Sequence, residues 1–160
     1  MMNAILLALV CLAALSVPAT AQLSAAPVQC QLAATPLSFG RYLPSVALPD
    51  DSTATLTVTC FTASPVPIPV RATVGLAAAS AVQELQAAGK SLRYRLYVDA
   101  GRTVAWGDGN GGTAPLLVSG IVSRGSPLRQ QVTVYGRILA QQKTTSVGGY
   151  SGQLNVMLSY

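Results

Sequence analysis

The chain has 160 residues, enough for one domain, and 51% of them are hydrophobic. It carries ten Lys or Arg against five Asp or Glu, a formal charge of +5, and no histidine. The missing imidazole removes the commonest general base and the commonest metal ligand. The basic residues stand singly with no nucleic-acid motif around them, so the charge reads as solvation of an apolar surface and implies no nucleic-acid partner.

Residues 4–15 are wholly apolar and too short to span a bilayer. Ala19-Thr20-Ala21 then offers a small-x-small cleavage site. This predicts a signal peptide over 1–21 and a mature, exported domain over 22–160, although the segment before the apolar run has no Lys or Arg. Cys11 falls inside the signal, and Val10 before it is too large for a lipoprotein cleavage site. Cys30 and Cys60 remain, and two cysteines in an exported chain predict one disulfide. Closing a loop of that length is worth roughly 3–4 kcal/mol in the chain-entropy picture.

The mature start, residues 22–29, is short and interrupted by Pro27. A first strand is expected from Cys30, resuming over 37–40 after Pro36. Residues 42–51 hold Pro44, Pro49, Asp50 and Asp51 and read as a loop. Residues 52–60 form the clearest strand, with Ala54, Leu56, Val58 and Cys60 on one face and four threonines on the other. Residues 66–76 alternate again, but Pro65, Pro67 and Pro69 put their start at a sheet edge or outside a sheet. Residues 77–88 are alanine-rich, with Val82, Leu85 and Ala88 at helical spacing before Gly89, and predict a short helix.

Residues 92–98 alternate as a strand, Asp99-Ala100-Gly101 turns, and 102–106 are expected to return as a second strand. Residues 107–112 are too glycine-rich for a regular element. Further strands are expected over 115–123 and 131–140, the latter with Val132, Val134, Gly136, Ile138 and Ala140 inward. After a loop at 144–149, Leu154, Val156, Leu158 and Tyr160 alternate to the last residue. About seven short alternating strands predict an all-β sandwich.

The inventory for chemistry is poor. Asp50-Asp51 is the one close carboxylate pair and reads as turn chemistry, and no G-x-S-x-G elbow is present. Lys90 and Lys143 lie in hydrophilic loops, so no catalytic residue is expected. Asp108 on its glycine-rich loop suggests calcium, but too few oxygen ligands accompany it, and no metal or other cofactor is expected. Asp99, Arg102 and Asp108 are close enough in sequence for a local ion pair. Trp106 with Tyr97 offers an aromatic platform for a sugar, although such aromatics more often pack within a sandwich.

The pattern L-x-Y-x-L-Y-x-D-A-x-R-T-x-x-W-G-D-G-x-G-G-T begins at Leu92. It contains Tyr94, Leu96, Tyr97, Asp99, Arg102, Thr103, Trp106, Gly107, Asp108 and Gly109. Together with V-Y-G-R-I-x-A-x-Q around Tyr135 and Gly136, and G-x-Y ending at Tyr150, it resembles the spore coat protein U domain family. That family includes subunits of the archaic chaperone–usher pili of Gram-negative bacteria. The resemblance covers nearly the whole mature chain, and the family's bridged cysteines match Cys30 and Cys60.

The resemblance implies an immunoglobulin-like sandwich lacking its last strand. It implies a hydrophobic groove, filled first by a periplasmic pilus chaperone. At the outer-membrane usher, the N-terminal extension of another pilus subunit replaces the chaperone strand. The uncharged face of Leu154, Val156, Leu158 and Tyr160 is expected to line that groove. The implied role is a structural subunit of a surface fimbrium reached through the periplasm. The alternatives are a secreted spore or cell-coat protein, or a small sugar-binding adhesin. A donor strand needs roughly 10 residues at about 3.3 Å each. Residues 22–29 fall short of that, which points to an acceptor at the fibre tip, with a shaft subunit as the alternative should a short donor suffice.

Overall fold

The structure, a computed structural model, describes residues 27–77, 81–142, 147 and 149–160. The expected signal segment 1–21, most of the expected donor segment 22–29, Lys143 and most of the 144–149 loop lie outside the described residues.

Among the described residues all regular structure is β. The strands are β1 (Gln29–Ala34), β2 (Asp50–Phe61), β3 (Ile68–Leu76), β4 (Val82–Ala87), β5 (Lys90–Tyr97), β6 (Leu116–Val122), β7 (Leu128–Ile138) and β8 (Val156–Ser159). One sheet runs β1-β2-β7-β5-β4 and the other β6-β3-β8, with every pair antiparallel. The two sheets pack face to face as an immunoglobulin-like sandwich, the fold class expected from the sequence.

Period-two alternation builds the core. Ala54, Leu56, Val58 and Cys60 of β2 are buried, while Thr53, Thr55, Thr57 and Thr59 take the outer face, where their branched Cβ suits a pleated surface. The longest register, from Asp50 opposite Ile138 to Cys60 opposite Leu128, makes β2 and β7 the spine of the larger sheet. Leu92, Leu96, Val134 and Ile138 face Val70, Val74, Val118 and Val122 across the sandwich. Each such side chain, once fully buried, contributes roughly 1.5–3 kcal/mol. Pro65 and Pro67 fall outside β3, as their missing N–H requires. Pro69 lies within it, opposite Ile121 of β6, in the part of β3 that among the described residues has no second neighbour, since β8 pairs with Thr73–Leu76.

Four expectations need correction. The helix expected over 77–88 is absent: 78–80 lie outside the described residues, and Val82–Ala87 is β4, paired with β5 from Val82 opposite Arg95 to Ala87 opposite Lys90. Ala88 and Gly89, both at positive φ (46° and 77°), form the two-residue hairpin turn, so Gly89 closes a β-turn rather than capping a helix. The return strand over 102–106 reduces to isolated bridges, Tyr97 with Ala105 and Trp106 with Ala114. Residues 37–40 do not continue the first strand but lie against the inner face of the larger sheet. Asp50 and Asp51 open β2 rather than forming a loop.

Candidate functional site

Between the sheets lies an apolar groove with a cavity of about 280 Å³. Its floor is the inner face of the larger sheet: Ala54 and Leu56 of β2, Val134 of β7, and Tyr94 and Leu96 of β5. One wall is the segment 34–39 that leaves β1. The opposite wall is Gly152, Leu154 and Val156, leading into β8, and Trp106 and Leu85 complete the lining. Among the described residues β8 pairs with β3 alone and β1 with β2 alone, and Ala34 of β1 and Val156 of β8 both line the cavity.

Each wall is held by its own chemistry. Cys30 and Cys60 stand directly opposite each other in the β1–β2 register and are bonded, which ties β1 to the spine. Beyond β1, Leu37 and Phe39 press onto β7 at Gly136. A Cβ there would come within 2.7 Å of Phe39 Cζ and 2.9 Å of Leu37 Cδ2, so this position has room only for glycine. The Phe39 ring meets Tyr94 edge-on at 5.7 Å. On the other wall, Gln86 and Ser151 exchange backbone hydrogen bonds of 2.8 and 3.1 Å, and the Ala77 N–H donates to the Asn155 carbonyl at 2.9 Å.

Of the four terminal residues expected to line a groove, Leu154 and Val156 border the cavity. Leu158 is half-buried against the core, and Tyr160 lies exposed beyond β8.

The signature residues of 97–113 share one connection, in which Trp106 bonds both sheets and the others order the loop around it. Asp99 ends the β5 arm: its carboxylate accepts hydrogen bonds from the N–H groups of Thr103 (3.0 Å) and Val104 (2.8 Å) and from the Thr103 hydroxyl (2.9 Å). These bonds, the Val104 amide first, hold the Asp99 carboxyl below its ordinary pKa. The Asn110 side chain does the same for Asp108.

Trp106 is buried. Its backbone N–H donates to Leu96 O of β5 at 2.8 Å, and its indole N–H donates to Val74 O of β3 at 2.9 Å, one residue thereby bonding both sheets. Gly107 makes the tight return possible, since a Cβ would fall 2.3 Å from Thr113 Oγ1. Gly109 takes φ +96° and donates to the same hydroxyl at 3.3 Å. Tyr97 is also buried, so Trp106 and Tyr97 form no exposed sugar platform. Tyr150 packs half-buried against the core.

The local ion pair expected among Asp99, Arg102 and Asp108 is not made. Arg102 turns instead to Asp51, 3.4 Å away, and lies 5.8 Å over the Tyr135 ring. Arg137 grips the same carboxylate through two hydrogen bonds of 2.7 and 2.8 Å. The Arg137 bonds, with the nearby Arg102 charge adding to them, hold the Asp51 carboxyl below its ordinary value. Burial, followed by the Asp51 charge, pushes Asp50 up, and burial raises the Tyr94 phenol. Sequence reasoning missed Asp51 as an ion-pair partner because Arg137 is distant in the chain and meets it only through the β2–β7 register.

Among the described residues no group of three or more His, Cys, Asp or Glu is placed to hold a metal. The groove floor was also missed as a site. Alternation marked Ala54, Leu56, Leu96 and Val134 as inward-facing, but not which inward positions the second sheet leaves uncovered.

No curated protein matches the chain. The model of the Spore Coat Protein U domain matches residues 15–157. Nearly the whole chain is thus accounted for, signature loop, bonded cysteines and sandwich together, and the protein belongs to the Spore Coat Protein U domain family of structural pilus- and coat-type surface proteins.

Proposed function

We propose that this domain is a pilus subunit that receives a β-strand from another protein in its groove. One observation carries the reading: an apolar cavity of about 280 Å³ opens onto the inner face of the larger sheet, beside β8, which among the described residues has a paired neighbour on one side only. A strand added along β8 gains backbone hydrogen bonds, and its alternate apolar side chains enter the cavity over Leu56, Leu96 and Val134. In this reading a periplasmic chaperone supplies the first strand, and the extension of another subunit replaces it at the outer-membrane usher. The apolar segment 4–15 supports export, with residues 1–21 removed as a signal peptide. The finished subunit then resides in a fimbrium on the cell surface.

The test is co-expression of the full chain with its chaperone and purification of the pair. Val156→Asp places a carboxylate at the groove wall, where an added strand would bury it unpaired. The expected result is loss of co-purification, with Thr57→Asp on the outer face retaining it. Normal capture of the Val156 variant would overturn strand acceptance. Secretion of a monomer that never exchanges strands would restore the coat-protein alternative.

A further inference from the structure

We propose that β6 is a second pairing edge, at which two copies of this chain join antiparallel about Ser119. The inference concerns the opposite margin of the smaller sheet and does not depend on the groove. Among the described residues β6 pairs with β3 alone, so its other edge is open. Proteins blunt such edges with charge, proline, brevity or cover. β1 is flanked by Pro27 and Pro36, β4 carries Glu84 and is bridged by Ser151, and β8 is only four residues long. β6, with the sequence LLVSGIV, is seven residues long, has no charge or proline within it, and has an adjoining proline at its start alone, Pro115. Its outer face instead presents Leu117 (70% exposed) and Ile121 (65% exposed).

The pattern of β6 is complementary to itself. With Ser119 opposite Ser119 of a second copy, each Leu117 faces an Ile121, giving two apolar cross-strand pairs on the outer face. A slip of one residue would set an outward side chain against an inward one, and a slip of two would set Leu117 or Ile121 against Ser119. The self-pairing register is therefore the one that matches. The inner face needs no repacking, because Leu116, Val118 and Val122 are already buried.

Charge favours the same edge. Each copy carries +5, yet β6 has no charged residue. The nearest outward cation, Arg71, lies one strand in, opposite Ser119. Across the paired edges the two Arg71 positions would stand three strand spacings apart, about 14 Å, beyond a Debye length of about 8 Å at physiological salt. A seven-residue pairing is small beside the ~1,200 Å² of a stable interface. It is therefore a weak contact between isolated copies, and it strengthens where many copies are held in register.

The experiment uses single cysteines in the full chain, exported and mildly oxidised. Directly opposed residues place their Cβ atoms about 4.5–5.5 Å apart, close enough for a disulfide after a small adjustment. Ser119→Cys is therefore expected to give a covalent dimer. Leu117→Cys alone should not, its two copies lying about 13 Å apart, whereas a mixture of Leu117→Cys and Ile121→Cys should. Adding Leu117→Lys and Ile121→Lys to the Ser119→Cys chain should abolish the dimer while leaving its melting temperature unchanged. The inference fails if Ser119→Cys dimerises no more than Thr53→Cys on the other sheet, or if Leu117→Cys dimerises equally well alone. Val156→Asp separates the two readings. A Ser119 cross-link that survives it is independent of the groove, and one that disappears with it comes from strand exchange and overturns the β6 edge.

Discussion

Of the three segments that carry the chain from the larger sheet to the smaller, the two longer ones are finished in opposite ways. The first, residues 98–115, is closed by its own hydrogen bonds: Asp99 caps its turn, Trp106 bonds β5 and β3, and the Ala114 N–H donates to Ala105 O at 2.8 Å. The second, residues 139–155, is pinned at intervals. Gln142 donates its backbone N–H to the Tyr42 hydroxyl at 2.9 Å and bonds Arg93 through its side chain, and Ser151 bridges Gln86. Between those pins and β8 it borders a cavity instead of filling one. The same connection can thus be made as a permanent seam or as an opening. What differs is whether the crossing segment brings a large side chain with a donor to the inner face. Trp106 does so in the first crossing. The second offers Gly152 and Leu154.

This contrast can be broken or sharpened by substitution. The largest effect is expected at the seam. Trp106→Ala leaves a cavity and removes the indole bond to Val74 O, and should cost about 3–5 kcal/mol, read as a drop in the urea midpoint whether or not a strand peptide fills the groove. Leu154→Ala at the opening should cost far less in the free domain and show its main effect only with a strand bound. Equal losses at both positions would erase the distinction. Next comes Cys30→Ala, which frees β1 from the spine and should cost roughly 2–5 kcal/mol. Two free thiols by mass spectrometry of exported protein would refute the bond. Gly136→Val drives Phe39 and Leu37 off the inner face, for about 1–3 kcal/mol of overpacking, and should weaken strand binding through the displaced wall.

The smallest effect is electrostatic. Asp51, Asp99 and Asp108 have pKa values lowered in the fold, so their contribution is fully present above the ordinary carboxylate value of 3.8. It is lost as pH falls through their lower folded values. Asp50 is raised and acts in the opposite direction. Stability should be flat at neutral and mildly acidic pH and fall below about pH 4. Asp51→Asn should remove part of that fall, an amount of about 0–1 kcal/mol for a partly exposed pair. A midpoint that keeps rising as pH drops below 4 would contradict the assignment.

The local pattern reached far but unevenly. The Thr-x-Thr alternation of β2 fixes which of its faces is buried, because a period of two leaves no other choice. Residues 82–87 resisted the same logic. Val82, Leu85 and Ala88 fit a helical stripe, and pairing with β5 overrode alanine's helix propensity. Gly89, read as the end of that helix, was with Ala88 the signal that could have revealed the hairpin. Arg102 was legible as an ion-pair former, but not its partner, which arrives from β2.

By itself the sequence determined the all-β class, the inward faces of β2, β3, β5 and β7, the family signature and the cysteine pair, since period, composition and motif are local properties of the chain. The tertiary structure alone decided which inward faces stay uncovered, that Trp106 spans both sheets, and that β8 and β6 each keep one unpaired edge among the described residues. These depend on which strands become neighbours across long separations, and on how far a four-residue last strand extends along a nine-residue β3. No window of the sequence contains both partners of such a contact.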